Sequence, residues 1–170
     1  LGKGLSAGMP LSAVIGRAEI FHRAMARIRY NPTFKGDVCA LAAAKAALSI
    51  YQKHDIPGHV WAYGRKLSCG INQLFAQYQI NASVIGPPFR MGVGFHYDDP
   101  NTRSLLRTLL HQELLKNGIF TFNTIMLPSF AHNASDLKQT LKAYEKSLDV
   151  MQSAIKMQNF AELLEIPEVT

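Results

Sequence analysis

From residue 37 onward the apolar positions fall into a clear order of periods. Asp37 stands ahead of an alanine-rich run, with alanines at 40, 42, 43, 44, 46 and 47, which predicts an N-capped helix from Val38 to about Lys53. Pro57-Gly58 breaks the chain, and Val60, Tyr63, Leu67, Ile71, Leu74 and Tyr78 then step by three or four, the mark of an amphipathic helix. Between Ala82 and Tyr97 the pattern shifts to alternation around Gly86-Pro87-Pro88, predicting two strands joined by a proline turn. A leucine face at 105, 106, 109, 110, 114 and 115 predicts a helix from about Thr102, stopped by Asn117-Gly118. Ile119 to Leu127 reads as a strand. Leu137, Leu141, Tyr144, Leu148, Met151 and Ile155 then predict a last helix over about 134–157, with Asn133 as N-cap.

The first part of the chain is less regular. Residues 10–16 form a short apolar run bounded by turn formers, read as a strand; Glu19 to about Arg29 reads as a short helix, and 31–36 as a loop. The order is mixed helix and strand throughout, without an internal repeat.

With 170 residues, 48% hydrophobic and 18% charged, the chain suffices for one compact domain or two small ones, which excludes a disordered tail. The net charge of +6 is uneven: Arg17, Arg23, Arg27, Arg29 and Lys35 face only Glu19, whereas Glu162, Glu165 and Glu168 close the chain. Because no aromatic platform is interleaved with that cluster, a specific nucleic-acid partner is not expected. No apolar run approaches the roughly eighteen residues of a membrane span and no signal peptide is seen, so a soluble protein without a membrane partner is expected. Two cysteines, Cys39 and Cys69, are too few for a disulfide framework, and the expected location is cytoplasmic. The opening Leu1-Gly2-Lys3-Gly4 reads as the middle of a loop, so a fragment or processed chain is expected.

Lys3 has no neighbouring carboxylate and sits among small, apolar residues. Such an amine is compatible with covalent catalysis on carbonyl compounds, and equally with a surface lysine in a glycine-rich loop. A phosphate-binding P-loop is excluded because Gly4 stands where serine or threonine is required. Thr33 and Gly36, just before an Asp37-capped helix, offer a hydroxyl, backbone amides and a positive helix end to an anion, although the basic cluster also reads as a solvated face. His22, His54, His59, His96, His111 and His132 show no metal-ligand spacing, so no metal is expected and each reads as a surface or capping histidine. Ser6 and Ser12 lie outside any nucleophile elbow, and Asp98-Asp99 before Pro100 reads as a turn.

Taken together, Leu-Gly-Lys-Gly-Leu-Ser-Ala-Gly-Met-Pro-Leu-Ser-Ala-Val-Ile-Gly-Arg at 1–17 and Pro-Thr-Phe-Lys-Gly-Asp at 32–37 resemble the class III aminotransferases, which depend on pyridoxal phosphate. Within that family the resemblance is to the glutamate-1-semialdehyde 2,1-aminomutase branch. Gly86 to Phe95 resembles its small-domain strand pair, and Ser129-Phe130-Ala131-His132 its Ser-x-Ala-His segment, so the likeness spans about 1–156.

The resemblance implies the C-terminal part of a fold-type I α/β enzyme. Residues 1–57 would end the large cofactor domain and 58–170 would form a small α+β domain. It implies that Lys3 carries pyridoxal 5'-phosphate as a Schiff base and then, as free amine, moves protons. It also implies that Thr33 reaches the cofactor phosphate across the interface of a homodimer. The implied substrate is a small amine or amino-aldehyde, and the implied reaction is amino-group transfer, between molecules or within one. Pro32, Lys35, Asp37 and Val38 depart from the family pattern around Thr33. The glycine-rich phosphate loop, the stacked aromatic ring and the aspartate for the pyridine nitrogen, which the family places earlier, do not precede Lys3. Phe122 to Leu127 lacks the Ile-Arg-x-x-Pro pattern of ornithine-type members. A class III enzyme acting on another amine, and a catalytically silent domain, stand as alternatives.

Overall fold

A computed structural model describes residues 1–29, 33 and 35–167. Of the loop expected at 31–36, Asn31, Pro32 and Phe34 lie outside the described residues, as does Glu168 of the acidic end. The chain divides into two compact units, Leu1–Ile56 and Pro57–Thr170.

The first unit holds a 3-10 turn, Lys3–Ser6, and the helices α1 (Ala18–Met25) and α2 (Val38–Lys53). Asp37 caps α2 as its sequence predicts, its Oδ1 accepting from the Ala40 amide at 2.7 Å. Helix α2 packs on the 3-10 turn. Ser6, Ala40 and Ala44 are the buried residues described in this unit, and the two alanines lie four apart on one face, where small side chains allow close approach. Helix α1 is shorter than its apolar pattern predicts, and among the described residues none of it is buried.

Residues 10–16 do not form the expected strand. A strand persists by pairing along its length, and the backbone links from this run to a distant residue among the described residues meet at Leu1 alone: Ala13 N–H donates to Leu1 O at 2.9 Å and the Leu1 ammonium to Ala13 O at 2.7 Å.

The second unit contains α3 (Ile56–Gln77, starting at the boundary), β1 (Ala82–Ile85), β2 (Gly92–Phe95), α4 (Pro100–Lys116) and α5 (Ala134–Met157). The strands form an antiparallel pair in the register Ala82 to Phe95 and Ile85 to Gly92, and the turn between them is closed by Arg90 N–H to Pro87 O at 2.8 Å. The core joins Ile71 and Phe75 of α3, Met91, Val93 and Phe95, the leucines of α4, and Tyr144, Leu148 and Met151 of α5. Leu106, Leu109, Leu110 and Leu114 are fully buried, each worth about 2 kcal/mol of transfer free energy. Leu115 is 39% exposed, because six leucines at those positions spread over a wider arc than one contact can cover.

Two expectations change in this unit. Asp99 is the N-cap of α4 and not part of a free turn: its carboxylate accepts from the Asn101 and Thr102 amides at 3.2 and 2.8 Å, with Pro100 in the first helical turn. Residues 119–127 do not form a strand. Asn123 and Thr124 take φ of 48° and 61°, and Ile125 N–H reaches Phe122 O at 2.8 Å, so the run folds back on itself and touches β2's neighbour Met91 through a single bridge at Met126.

Candidate active site

The turn that carries Lys3 is tightly specified. Gly2 is extended, Lys3 has φ +53° and Ala7 φ +50°, both left-handed. For a residue with a Cβ this conformation costs about 1–2 kcal/mol, so the surrounding structure must impose it. It does so through Leu5 N–H to Gly2 O at 3.2 Å, Met9 N–H to Ser6 O at 3.1 Å, and the fully buried Ser6 hydroxyl donating to the Met9 carbonyl. Lys3 itself is exposed, and among the described residues its ammonium has no ion-pair partner. A Cβ placed on Gly4 would meet nothing within 4 Å, so there is open space directly beside the lysine.

Thr33 is an exposed turn residue four positions before the α2 cap. Its hydroxyl is open to an anion, but the Asp37 carboxylate already takes one amide of that helix end, which reduces the positive potential expected there. The structure records no hydrogen bond between Lys3 and Thr33. In the basic cluster, Arg17 pairs with Glu19 at 2.6 Å and both side chains are largely exposed; a surface pair of this kind contributes little.

No group of three or more histidine, cysteine, aspartate or glutamate side chains among the described residues could hold a metal ion. His22, His54 and His96 are exposed, while His59, His111 and His132 are half-buried. His59 Nε2 lies 2.9 Å from the His132 carbonyl oxygen, and His132 Nδ1 accepts from the Ser129 amide at 3.1 Å. His132 is therefore a loop-fixing residue, and its ring stacks on Tyr63 at 5.3 Å.

The second unit contains a cavity of about 460 Å³ that pattern reasoning did not anticipate. Tyr63, read from the sequence as part of a core stripe, forms its floor with His132, Asp136 and Thr140. Burial raises the Tyr63 phenol above its ordinary pKa, the Asp136 charge raises it further, and a hydrogen bond with Thr140 acts in the opposite sense. The only signal in the sequence was an aromatic residue on α3 and an acid in the first turn of α5, too generic to pair in advance. No helix is long and apolar enough to cross a membrane among the described residues.

The family model described as "Aminotransferase class-III" matches residues 1–148. The chain is 26% identical to glutamate-1-semialdehyde 2,1-aminomutase of Halorubrum lacusprofundi, covering 86% of this chain and 41% of that enzyme. It is 23% identical to 3-aminobutyryl-CoA aminotransferase of Cloacimonas acidaminovorans, over 86% of this chain and 36% of that one. The FumI protein of Sphingopyxis sp. MTA144, solved in its PLP internal aldimine form, shares the fold with a TM-score of 0.81 at 22% identity, over 94% of this chain and 38% of that one. The chain thus spans about two fifths of the length of the proteins it matches.

Proposed function

The chain belongs to the class-III aminotransferases, and from that premise we propose that it supplies the reactive lysine of a pyridoxal-phosphate-dependent amino-group transfer, of the glutamate-1-semialdehyde 2,1-aminomutase type. The observation that carries the reading is Lys3: exposed, held at φ +53° by a turn closed on buried Ser6, with open space beside Gly4. Those features fit an aldehyde cofactor, which needs a primary amine within a backbone that a flat ring can approach. Bound pyridoxal phosphate supplies an electron sink that stabilises negative charge on the substrate carbon bearing the amine.

Lys3 Nζ would hold the cofactor by its aldehyde carbon and, as a free amine, would carry the proton taken from the substrate carbon that bears the amino group. The fixed backbone limits the arc through which that nitrogen swings. Thr33, from a second copy of the chain, would donate its hydroxyl to the cofactor phosphate in a homodimeric working form. Residues 1–57 end the large cofactor domain and 58–170 form the small one, a reading supported by the division of the chain at Ile56 and Pro57. Free, exposed Cys39 and Cys69 are in keeping with a reducing, cytoplasmic setting.

A second reading, intermolecular transfer from another amine, is favoured by the similarity to 3-aminobutyryl-CoA aminotransferase. Both readings share one test. Incubation with pyridoxal phosphate, borohydride reduction and peptide mapping is expected to place the label on Lys3; a label on any other lysine overturns the assignment.

A further inference from the structure

Tyr63 of α3 stacks with two imidazoles, with ring centroids 6.4 Å from His59 and 5.3 Å from His132, and Phe130 meets His59 edge-on at 5.1 Å. Both histidines are half-buried, and they make opposite demands on their protons. His59 Nε2 lies 2.9 Å from the His132 carbonyl oxygen, which can only accept, so that nitrogen carries a proton. His132 Nδ1 accepts from the Ser129 amide at 3.1 Å, so that nitrogen carries none and the ring is in its neutral Nε2–H form.

Acid therefore acts on the two rings unequally. A charged His59 keeps its donor and its bond. A charged His132 carries a proton on each nitrogen, so donor faces donor at the Ser129 amide, and no flip of the ring restores an acceptor. The turn 129–132 is closed by this bond and by His132 N–H to Ser129 O at 3.2 Å, and protonation removes the first.

The charges around the ring do not undo this. It faces His59 and Tyr63 of α3 and shares the cavity wall with Asp136 of α5, while the run 118–128 brings no titratable side chain to that wall among the described residues. A charged His59 repels a second cation, and His132 stands directly before the Asn133 cap, at the positive end of α5. Asp136 attracts the charge, but attraction cannot return a lone pair to Nδ1, and its Oδ2 already accepts from the Asn133 amide at 2.8 Å.

We infer that His132 is a proton-sensitive latch, which when neutral closes the 128–132 wall of the cavity and when protonated releases it. Pro128 and His132 both line the cavity, so release widens it. The latch rests on contacts within the second unit and does not depend on the role given to Lys3.

The test is NMR of the whole chain from about pH 7.5 to about pH 5.5, the span in which an ordinary imidazole titrates. At the upper end, long-range proton–nitrogen spectra are expected to show His132 in the Nε2–H form. On acidification, exchange of the Ser129 amide, corrected for the intrinsic effect of pH, is expected to quicken about three- to tenfold, the loss of one net hydrogen bond. Its midpoint is expected to match that of the His132 ring, a comparison made in the unaltered chain. His132→Asn, whose side-chain oxygen can still accept from the Ser129 amide, is expected to abolish the response. His59→Gln, which keeps a side-chain N–H for the His132 carbonyl, is expected to leave it. An Nδ1–H form of His132 at neutral pH, a Ser129 amide indifferent to pH or following another histidine, a response that survives His132→Asn, or one lost in His59→Gln would each overturn the inference.

Discussion

The hydroxyl of Tyr144, fully buried on α5, donates to the Met126 thioether sulfur at 3.2 Å. It pins the folded-back run 119–127 to the last helix. Burial raises the phenol's pKa well above its ordinary value, so the donor is kept protonated at any working pH.

The two halves of this contact are expected to respond unequally. Tyr144→Phe removes the donor and leaves a sulfur that is a weak acceptor, costing below about 1 kcal/mol. Met126→Leu leaves a buried O–H without a partner, costing about 1–3 kcal/mol. Denaturant midpoints of the two variants test the order.

Two glycines of α3 should differ sharply when changed to alanine. A Cβ on Gly64 would lie 2.0 Å from the Pro88 carbonyl oxygen, a backbone atom that cannot step aside. The helix-propensity gain of about 1 kcal/mol is overrun by overpacking of about 1–3 kcal/mol or more, so Gly64→Ala is destabilising. At Gly70 the obstacle is the methyl end of Leu141, 2.7 Å away, which can rotate. Gly70→Ala is expected to stay within about 1 kcal/mol of the parent in thermal melts.

The α4 cap predicts an acid-side effect. Hydrogen bonds from the Thr102 hydroxyl at 2.6 Å and from the Thr102 and Asn101 amides lower the Asp99 pKa below its ordinary value. A lowered folded pKa gives stability that is present above the ordinary aspartate value of about 4 and lost as pH falls through the folded value. Asp99→Asn should flatten that part of the profile of melting temperature against pH between neutrality and strong acid, while a parallel slope in both proteins would refute it.

Gln112 holds the C-terminal segment. Only 2% exposed, its amide donates to Leu163 O at 2.9 Å and accepts from the Glu165 amide at 2.6 Å, while Lys116 reaches Glu165 at 2.7 Å. Gln112→Leu is expected to speed hydrogen exchange at the Glu165 amide about tenfold, the equivalent of one net hydrogen bond. Unchanged exchange would mean that Phe160 and Leu164, packed on the core, hold the segment without it.

For the proposed cofactor site, Thr33→Ala is expected to weaken pyridoxal phosphate by about 10- to 100-fold, the range for a hydrogen bond to a charged group of about 1.5–3 kcal/mol. Labelling of Lys3 at saturating cofactor should persist. Equal affinity in the variant would remove Thr33 from the site.

Local physics made much of this protein legible from its residues. Helices α2, α3 and α5 and the β1–β2 pair lie where periodicity and breakers place them, because Asp37 and Asn133 cap from within one turn and the strand alternation is interrupted by Gly-Pro-Pro. Lys3 stood out through its neighbours, and the family likeness gave it a chemistry. Tertiary structure decided the rest. An apolar run such as 119–127 is as compatible with a strand as with a fold-back; the short turn at Asn123 and Thr124 and the contact of Met126 with Met91 and Tyr144 settled it. Among the described residues no strand pairs with 10–16, so their β-like composition joins no ladder there. The left-handed backbone of Lys3 and the meeting of Tyr63 with Asp136 depend on residues distant in sequence or on a closed turn, and no local pattern encodes either.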